Sequence, residues 1–302
     1  MKYAFLKCAV GFFVLCFITS ACNKQQDVPV NSISDQTSQS ATTTLPKPDH
    51  TVILILENHA YSQIIGSSSA SYINSLASDS YSVSFTKSYA IMHPSQPNYL
   101  CLYSGSNQHV TSDKYPSAAP FTTPNLGRVL LNAGKTFATY SESLPSVGYN
   151  GNSYGAYVRK HNPAANWMGT GKNQIPATTN QPFTAFPADF TQLPTVSIVI
   201  PNLNDDMHNG SISAGDTWVK NNLDSYVQWT KTHNSLFILT FDEDDDNHNN
   251  QITTIFTGPM VKSGQNATQI NHYNVLRTIE NLYGINYTGK ASTSACITNC
   301  WK

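Results

Sequence analysis

The sequence is poor in charged residues and carries almost no net charge. Lys, Arg, Asp and Glu together make up 12% of its 302 residues, and the formal net charge is −1. Proteins that bind nucleic acid usually present a basic run or patch, and the sequence contains no such run. The apolar run at residues 9–18 is too short to cross a bilayer comfortably. We therefore expect neither a nucleic-acid partner nor a transmembrane helix.

Cysteine is also scarce. After Cys22 only Cys101, Cys296 and Cys300 remain, and no histidine lies near them in sequence. Three such cysteines make a poor zinc site. Cys296 and Cys300 are close enough in sequence to form a disulfide in an oxidising compartment, which would leave Cys101 as a buried thiol.

The first 22 residues have the pattern of an export signal. Lys2 and Lys7 precede the apolar run, and small residues precede Cys22, as at a cleavage site. The segment around Cys22 resembles a bacterial lipobox, whose cysteine is lipidated, although Thr19 stands where an aliphatic residue is more usual. We expect a signal peptide and lipobox at residues 1–22.

The next residues are polar and predict a tether. Residues 23–48 contain too little apolar surface to form a core. Residues 49–302 are long enough for one large α/β domain. The expected location is therefore outside the cytoplasm, with the protein held by lipid at Cys22 to the bacterial cell envelope, on its periplasmic face or at the cell surface.

Runs of β-branched and aliphatic residues predict buried strands, at residues 51–56, 196–200, 236–241 and 252–256, with a further strand at 136–140. Uninterrupted apolar runs are typical of parallel sheets. Helices are expected between the strands, at residues 71–76, 126–132, 216–233 and 272–283. This alternation predicts an α/β fold, with a mostly parallel central sheet and helices on both faces.

One long segment breaks this alternation. Residues 143–190 are rich in Gly, Asn, Pro and aromatic residues and show little periodicity. A long irregular insert in a compact domain usually builds the wall or lid of a site.

Acidic residues follow the predicted strands. Glu57, Asp206 and Asp242 each come after the carboxyl end of an apolar run, where parallel sheets bind their ligands. We expect these three carboxylates to share one site. Glu57, Asn58, Asp242 and Glu243 offer three carboxylates and one amide, and such oxygen ligands suit Mg²⁺, Ca²⁺ or Mn²⁺ better than Zn²⁺. The alternative is that the acidic run beginning at Asp242 is a solvated loop.

Ser95 is the candidate nucleophile. It lies between Pro94 and Pro97 and before an apolar run, so we expect it at or near a helix N-terminus. Free N–H groups and the helix dipole favour an anion there. A serine so placed could attack phosphorus while nearby amides hold the phosphoryl oxygens. The alternative is that Ser95 is only a helix N-cap.

In their order along the chain these residues resemble a known family. The series is Glu57-Asn58, His93-Pro94-Ser95, Pro97-Asn98-Tyr99, Asp206-x-His208, Asp242-Glu243 and His272-Tyr273. It resembles the phosphoesterase family of acid phosphatases and phosphatidylcholine-type phospholipases C. The segment Tyr157-Val158-Arg159-Lys160-His161-Asn162-Pro163 is similar to one in the fungal acid phosphatases. The resemblance runs from Ile53 to about Gly284.

The resemblance implies an alkaline-phosphatase-like fold and a metal-dependent site. One divalent metal ion would be held by Glu57, Asn58, Asp242, Glu243 and Ser95, the last of which would also be the nucleophile. Glu243 stands where the two-metal enzymes of the superfamily usually have a histidine, which favours a single metal.

The resemblance also implies roles for the remaining matched residues. The substrate would be bound by His161, Asp206, His208 and His272. The leaving oxygen would receive a proton from His208 or His272 as a catalytic acid. His93 could support the loop that carries Ser95.

These roles predict a metal-dependent acid phosphatase that hydrolyses small phosphomonoesters through a phosphoserine intermediate at Ser95. The nearest alternative is a phosphodiesterase or phospholipase C of the same fold. A different class is a non-enzymatic surface lipoprotein that binds glycans through the aromatic residues of 143–190, with Ca²⁺ in the acidic cluster.

Overall fold

The structure is a computed structural model that describes residues 45–302. The predicted export signal, the lipidation at Cys22 and most of the predicted tether lie outside these residues. Leu45 packs against the core, and the carbonyl of Lys47 accepts a hydrogen bond from Nδ2 of Asn234 at 2.8 Å. Within residues 45–302, no helix is long and apolar enough to span a membrane.

The strands of the described residues are, in chain order, β1 (His50–Leu56), β2 (Ser82–Phe85), β3 (Ser88–Tyr89), β4 (Phe137–Ser141), β5 (Ser153–Tyr154), β6 (Tyr157–Val158), β7 (Asn180–Pro182), β8 (Val196–Ile200), β9 (Ser235–Phe241), β10 (Gln251–Ile252), β11 (Thr254–Thr257), β12 (Gly264–Asn266) and β13 (Ile270–Asn271). Eight of them form a central sheet in the order β12-β2-β11-β9-β1-β8-β4-β7. Strands β9, β1, β8, β4 and β7 pair in parallel, whereas β11 is antiparallel to both of its neighbours.

The α-helices are α1 (Tyr61–Ile64), α2 (Ser71–Ala77), α3 (Ser95–Ser104), α4 (Leu126–Asn132), α5 (Ile212–Thr230) and α6 (His272–Tyr283). Short 3₁₀ helices lie at Ser68–Ala70, Arg159–His161, Pro163–Trp167, Ala177–Thr179, Phe183–Ala185, Phe190–Gln192 and Gly289–Thr293. The predicted α/β fold, with a mostly parallel sheet, is confirmed.

The two faces of the sheet are covered by two separate cores, because successive side chains of a strand point to opposite faces. Ile53 and Ile55 of β1 belong to a core that also contains residues of α3, α4 and α6. Val52 and Leu54 belong to a second core that contains residues of α1, α2 and α5. Burial on both faces explains why the strands read as continuous apolar runs.

Two predicted elements differ in the structure. The strand predicted at 252–256 is divided into β10 and β11, and β11 runs antiparallel within the sheet. The helix predicted at 216–233 begins earlier, because the side chain of Ser211 accepts a hydrogen bond from the N–H of Ala214 and caps α5. Asp216 lies inside α5, and its carboxylate accepts hydrogen bonds from the N–H groups of Tyr72 and Ile73.

The disulfide expected between Cys296 and Cys300 is not present in the structure. All three cysteines of the described residues are free thiols. Cys101 is buried, as expected, and its Sγ lies 3.1 Å from the hydroxyl of Tyr273. Cys300 is buried and Cys296 is half-buried.

Candidate active site

The site lies at the carboxyl ends of the central parallel strands. Glu57 follows β1, Asp242 follows β9, and Asp206 lies in the loop after β8. The N–H of Glu57 donates to the carbonyl of Asp206 at 2.8 Å, and the N–H of Asp242 donates to the carbonyl of Leu56 at 3.0 Å. These backbone bonds bring the three carboxylates together, as strand-end ligands of a parallel sheet are expected to be. All three side chains are buried.

Ser95 is the first residue of α3, and Pro94 is the N-cap. The Ser95 hydroxyl does not cap the helix. Its Oγ lies 3.0 Å from Oε2 of Glu57, 2.9 Å from Oε1 of Glu243 and 3.5 Å from Oδ1 of Asn58. The structure therefore places Ser95 among the predicted metal ligands and gives no support to the N-cap alternative.

The oxygen atoms around Ser95 outnumber the hydrogens available to them. One hydroxyl hydrogen can satisfy only one of the two carboxylates, and Oδ2 of Asp242 is buried with no hydrogen-bond partner. The pKa values of Glu57 and Asp242 lie well above their usual range. The larger cause is burial, and the repulsion from neighbouring carboxylates adds to it. Burial also raises the pKa of Glu243. A divalent cation would relieve this repulsion, so the oxygen ligands present fit a hard metal ion.

Asn58 is held in a conformation that orients this group. Its φ is 50°, in the left-handed region that asparagine tolerates better than most residues. From there its N–H donates to Oδ1 of Asp242 and its Nδ2 donates to Oε1 of Glu243, both at 3.2 Å. The side-chain oxygen of Asn58 is left to face Ser95.

His161 joins Asp206 to Glu57. Its Nδ1 lies 3.1 Å from Oδ2 of Asp206, within hydrogen-bond distance. Its Nε2 lies 3.3 Å from Oε1 of Glu57. Burial holds the pKa of His161 well below its usual value, and burial raises the pKa of Asp206 to about 7. Glu57, His161 and His208 also present ligand atoms within 4.8 Å of one another, a second group that could hold a metal ion.

His208 lies at the mouth of the site. It is exposed, its N–H donates to Oδ1 of Asp206 at 2.8 Å, and its Nδ1 lies 2.9 Å from the side-chain oxygen of Asn209. The backbone of His208 is thus held against Asp206, while its ring remains exposed.

His272 lies deeper. It is the first residue of α6, and its Nε2 donates to the backbone carbonyl of Asp242 at 2.7 Å. Its Nδ1 is buried without a partner, and burial lowers the pKa of His272 to about 4. The ring is therefore neutral above that pH and braces the backbone of Asp242.

The acidic run after β9 divides into two parts. Asp242 and Glu243 belong to the site, whereas Asp244 accepts hydrogen bonds from the N–H groups of Asp246, His248 and Asn250. These bonds organise the loop, so the expectation of a solvated acidic run does not describe Asp244. His93 connects this loop to Ser95: its Nδ1 lies 2.8 Å from Oε2 of Glu243 and its Nε2 3.2 Å from Oδ1 of Asp244.

Tyr99 is a site residue to which the sequence analysis gave no role. Its hydroxyl donates to Oε1 of Glu57, and its ring stacks on that of His161 with 5.3 Å between centroids. The signal was present, because Tyr99 follows Ser95 by four residues and side chains at that spacing share one face of a helix.

Comparison with known proteins agrees with this geometry. The sequence model described as the Phosphoesterase family matches residues 69–286. A phosphatidylinositol-3-phosphatase of Mycobacterium tuberculosis is 44% identical over 263 residues, which cover 86% of this chain and 85% of that protein. An acid phosphatase of Aspergillus fumigatus is 28% identical over 72% of this chain. The chain spans only 52% of the length of that fungal enzyme.

Solved structures show the same fold at low identity. A protein of the alkaline phosphatase superfamily from Vibrio parahaemolyticus has a TM-score of 0.58 at 14% identity, covering 84% of this chain and 72% of that one. The lipoteichoic acid synthase LtaP from Listeria monocytogenes has a TM-score of 0.53 at 9% identity, covering 81% and 74%.

Proposed function

Because the chain belongs to the Phosphoesterase family, we propose that it is a metal-dependent acid phosphatase that hydrolyses phosphomonoesters through a phosphoserine at Ser95. Its membership of this family and its relatives that are named phosphatases show that it is a phosphoric ester hydrolase. The observation that carries the finer proposal is the position of Ser95 Oγ, about 3 Å from both Glu57 and Glu243 at the start of a helix. A serine that served only the fold would not need two buried carboxylates around its hydroxyl.

Glu57, Asn58, Asp242, Glu243 and Ser95 would hold the metal ion. When bound, a divalent ion in this group would favour ionisation of the Ser95 hydroxyl and offset negative charge on the phosphoryl oxygens. Mg²⁺, Ca²⁺ or Mn²⁺ suits these oxygen ligands.

Ser95 Oγ attacks phosphorus, and the new O–P bond forms as the ester O–P bond breaks. The hydroxyl lies within hydrogen-bond distance of both Glu57 and Glu243, so either carboxylate is placed to accept its proton. Water then hydrolyses the phosphoserine and releases phosphate. Most of the rate enhancement is expected from positioning and electrostatics.

His208 is the better candidate for donating a proton to the leaving oxygen. It is exposed at the mouth of the site, where an alcohol would depart. His272 is fully buried, and its Nε2 is committed to the carbonyl of Asp242. We assign His272 and His161 to holding the carboxylates in place.

The proposed substrate class is a phosphomonoester of an alcohol or a phosphorylated ring. The name of the mycobacterial relative denotes a phosphatase of phosphatidylinositol 3-phosphate, whose reacting group is also a phosphomonoester. The non-enzymatic glycan-binding alternative does not fit membership of this family. A phosphodiesterase remains the alternative to be tested.

The deciding assay compares p-nitrophenyl phosphate with bis-p-nitrophenyl phosphate. We expect turnover of the monoester to exceed that of the diester at acidic pH, and a phosphoserine at Ser95 after rapid acid quench. Faster turnover of the diester would replace the phosphatase proposal with a phosphodiesterase. Absence of a phosphopeptide in a turning-over enzyme would argue for direct attack by water.

The proposed location is the cell envelope, with residues 1–22 as signal and lipobox, 23–48 as tether and 49–302 as catalytic domain. The export pattern and Cys22 support this, and both lie outside the described residues. Cys22→Ser is expected to release the protein from the membrane fraction. Retention of that variant, together with a wild type of unmodified mass, would contradict lipidation.

A further inference from the structure

The residue that follows the proposed nucleophile is tied to one loop by three hydrogen bonds. The N–H of Gln96 donates to Oδ1 of Asp113 at 3.0 Å, and its Nε2 donates to the carbonyls of Ser112 and Lys114 at 2.8 and 2.7 Å. Gln96 is buried. Asp113 is thus fixed beside the first turn of α3, and the Gln96 N–H already has a hydrogen-bond acceptor in Asp113.

The second oxygen of Asp113 holds a lysine. Nζ of Lys160 lies 2.8 Å from Oδ2 of Asp113, and the lysine side chain is only 18% exposed. Burial alone would raise the pKa of Asp113, but the bonds from Lys160 and from the Gln96 N–H hold it below its usual value. The pair is therefore an ion pair whose carboxylate is anchored to the helix that begins at Ser95.

The ammonium group of Lys160 also contacts His208. Nζ lies 3.3 Å from Nε2 of His208. Lys160 comes directly before His161, so the same 3₁₀ turn carries both. Burial raises the pKa values of Glu57 and Asp206, and the positive charge of Lys160 acts in the opposite direction and lowers them. These two contacts place the ammonium group between His208 and Asp113, which is itself bonded to the residue that follows Ser95.

The neighbouring Arg159 is committed elsewhere. Its Nε donates to Oδ1 of Asn150 and its Nη2 donates to the carbonyl of Ala165, both at 2.9 Å. Its guanidinium lies 4.0 Å from the ring centroid of Tyr115. Arg159 therefore holds the insert together, and Lys160 is the basic residue of this turn that faces the site.

We propose that the ammonium group of Lys160 donates a hydrogen bond to a non-bridging oxygen of the phosphoryl group that Ser95 attacks, and that Asp113 positions it. The proposal rests on the proposed function. A phosphoryl dianion must approach a site lined by several buried carboxylates, and a cation already held beside the site by Asp113 offsets that repulsion. Lysine acts as a point charge toward phosphate, so one flexible side chain can follow the group from ester to phosphoserine.

Lys160→Met tests the contact, because it keeps an unbranched side chain and removes the charge. We expect kcat/KM for p-nitrophenyl phosphate to fall by about 100-fold to 1,000-fold, as for loss of one transition-state donor. The inhibition constant of inorganic phosphate should rise by about tenfold or more. Lys172→Met is the matched control: it makes the same charge change at an exposed lysine and should leave both quantities within about twofold.

Asp113→Asn tests the positioning role and serves if Lys160→Met does not fold. It should lower kcat/KM by about tenfold and weaken phosphate inhibition, because the lysine loses its anchor. The double variant should be no worse than Lys160→Met alone, since both changes act through one ammonium group. Additive losses would overturn the positioning role of Asp113.

The experiments test the Lys160 contact and the proposed function separately. Lys160→Met that turns over substrate and binds inorganic phosphate as wild type does would overturn the lysine contact and leave the phosphatase proposal standing. A wild type that hydrolyses no phosphomonoester would overturn the proposed function. Calorimetric titration of inorganic phosphate into wild type and Lys160→Met would then still decide whether Lys160 binds a phosphoryl group.

Discussion

The hydroxyl of Tyr99 donates a hydrogen bond to Oε1 of Glu57, and both groups are buried. Oε2 of the same carboxylate lies 3.0 Å from Oγ of Ser95. Glu57 is therefore held from one side by the helix that supplies the nucleophile and faces that nucleophile with its other oxygen. Burial raises the pKa of Tyr99 well above its usual range, so the hydroxyl keeps its hydrogen and remains a donor.

Tyr99→Phe should reduce metal affinity or kcat by about 10-fold to 100-fold, as for loss of a group that orients a metal ligand. Tyr103→Phe is the matched control, since Tyr103 lies one turn further along α3 and packs on Phe137 and Trp167. Titration of activity with Mg²⁺ or Mn²⁺ separates the two effects. Equal behaviour of the two variants would show that the Tyr99 hydroxyl does not orient Glu57.

Ser95→Ala and Ser211→Ala should show opposite effects. Ser95→Ala removes the proposed nucleophile, and we expect turnover to fall by about 10⁴-fold or more with little change in unfolding free energy. Ser211→Ala removes the cap of α5 and should lower that free energy by about 1 kcal/mol at unchanged turnover. Steady-state assays and urea unfolding provide both measurements. Near-normal turnover by Ser95→Ala would eliminate the phosphoserine mechanism.

Removal of divalent metal should abolish activity. The carboxylates around Ser95 are buried and lack enough hydrogens, so the stripped site should be inactive and should also destabilise the fold. Addition of Mg²⁺, Ca²⁺ or Mn²⁺ should restore turnover and raise Tm, because an ion that binds only the folded state stabilises it. Turnover that survives stripping, with metal absent by elemental analysis, would contradict a metal role.

Glu280 predicts a pH dependence of stability outside the active site. Its Oε1 accepts hydrogen bonds from Thr288, its Oε2 is buried without a partner, and burial raises its pKa to about 7. The folded protein therefore keeps a proton that the unfolded chain releases above its ordinary value of 4.5. Between these two pH values the unfolding free energy should fall as pH rises, by at most about 1.4 kcal/mol per pH unit from this group.

Glu280→Gln should remove that contribution, because the amide does not titrate. Urea unfolding of wild type and variant at several pH values between 4.5 and 7 measures it. The active-site carboxylates titrate in both proteins and cancel in the comparison. Parallel stability curves for the two proteins would show that Glu280 is ionised in the folded state.

The sequence was informative where burial dictates a simple pattern. Strands β1, β8 and β9 were predicted to within one residue, because burial on both faces demands continuous apolar runs. Pairing direction is not encoded locally, so the antiparallel course of β11 was missed. The short strands β3, β10 and β13 form a separate three-stranded sheet and depend on tertiary contacts.

The candidate site divides in the same way. Residues at strand ends, such as Glu57 and Asp242, could be expected to meet because parallel strands end at one edge. Asp113 carried no signal, since it lies in a polar loop without periodicity and is placed by hydrogen bonds to Gln96. Lys160 directly precedes His161, which belongs to the family resemblance. The direction of the Lys160 side chain depends on its ion pair with Asp113, and residue spacing does not predict that contact. The roles of the site residues stay predictions.

Strand β1 separates the point where the chain enters the domain from the site. The chain enters the domain at His50 and reaches Glu57 seven residues later, and a strand of that length places its two ends about 20 Å apart. The chain therefore enters at one edge of the sheet, and Ser95 is reached from the opposite edge, at which β1 ends.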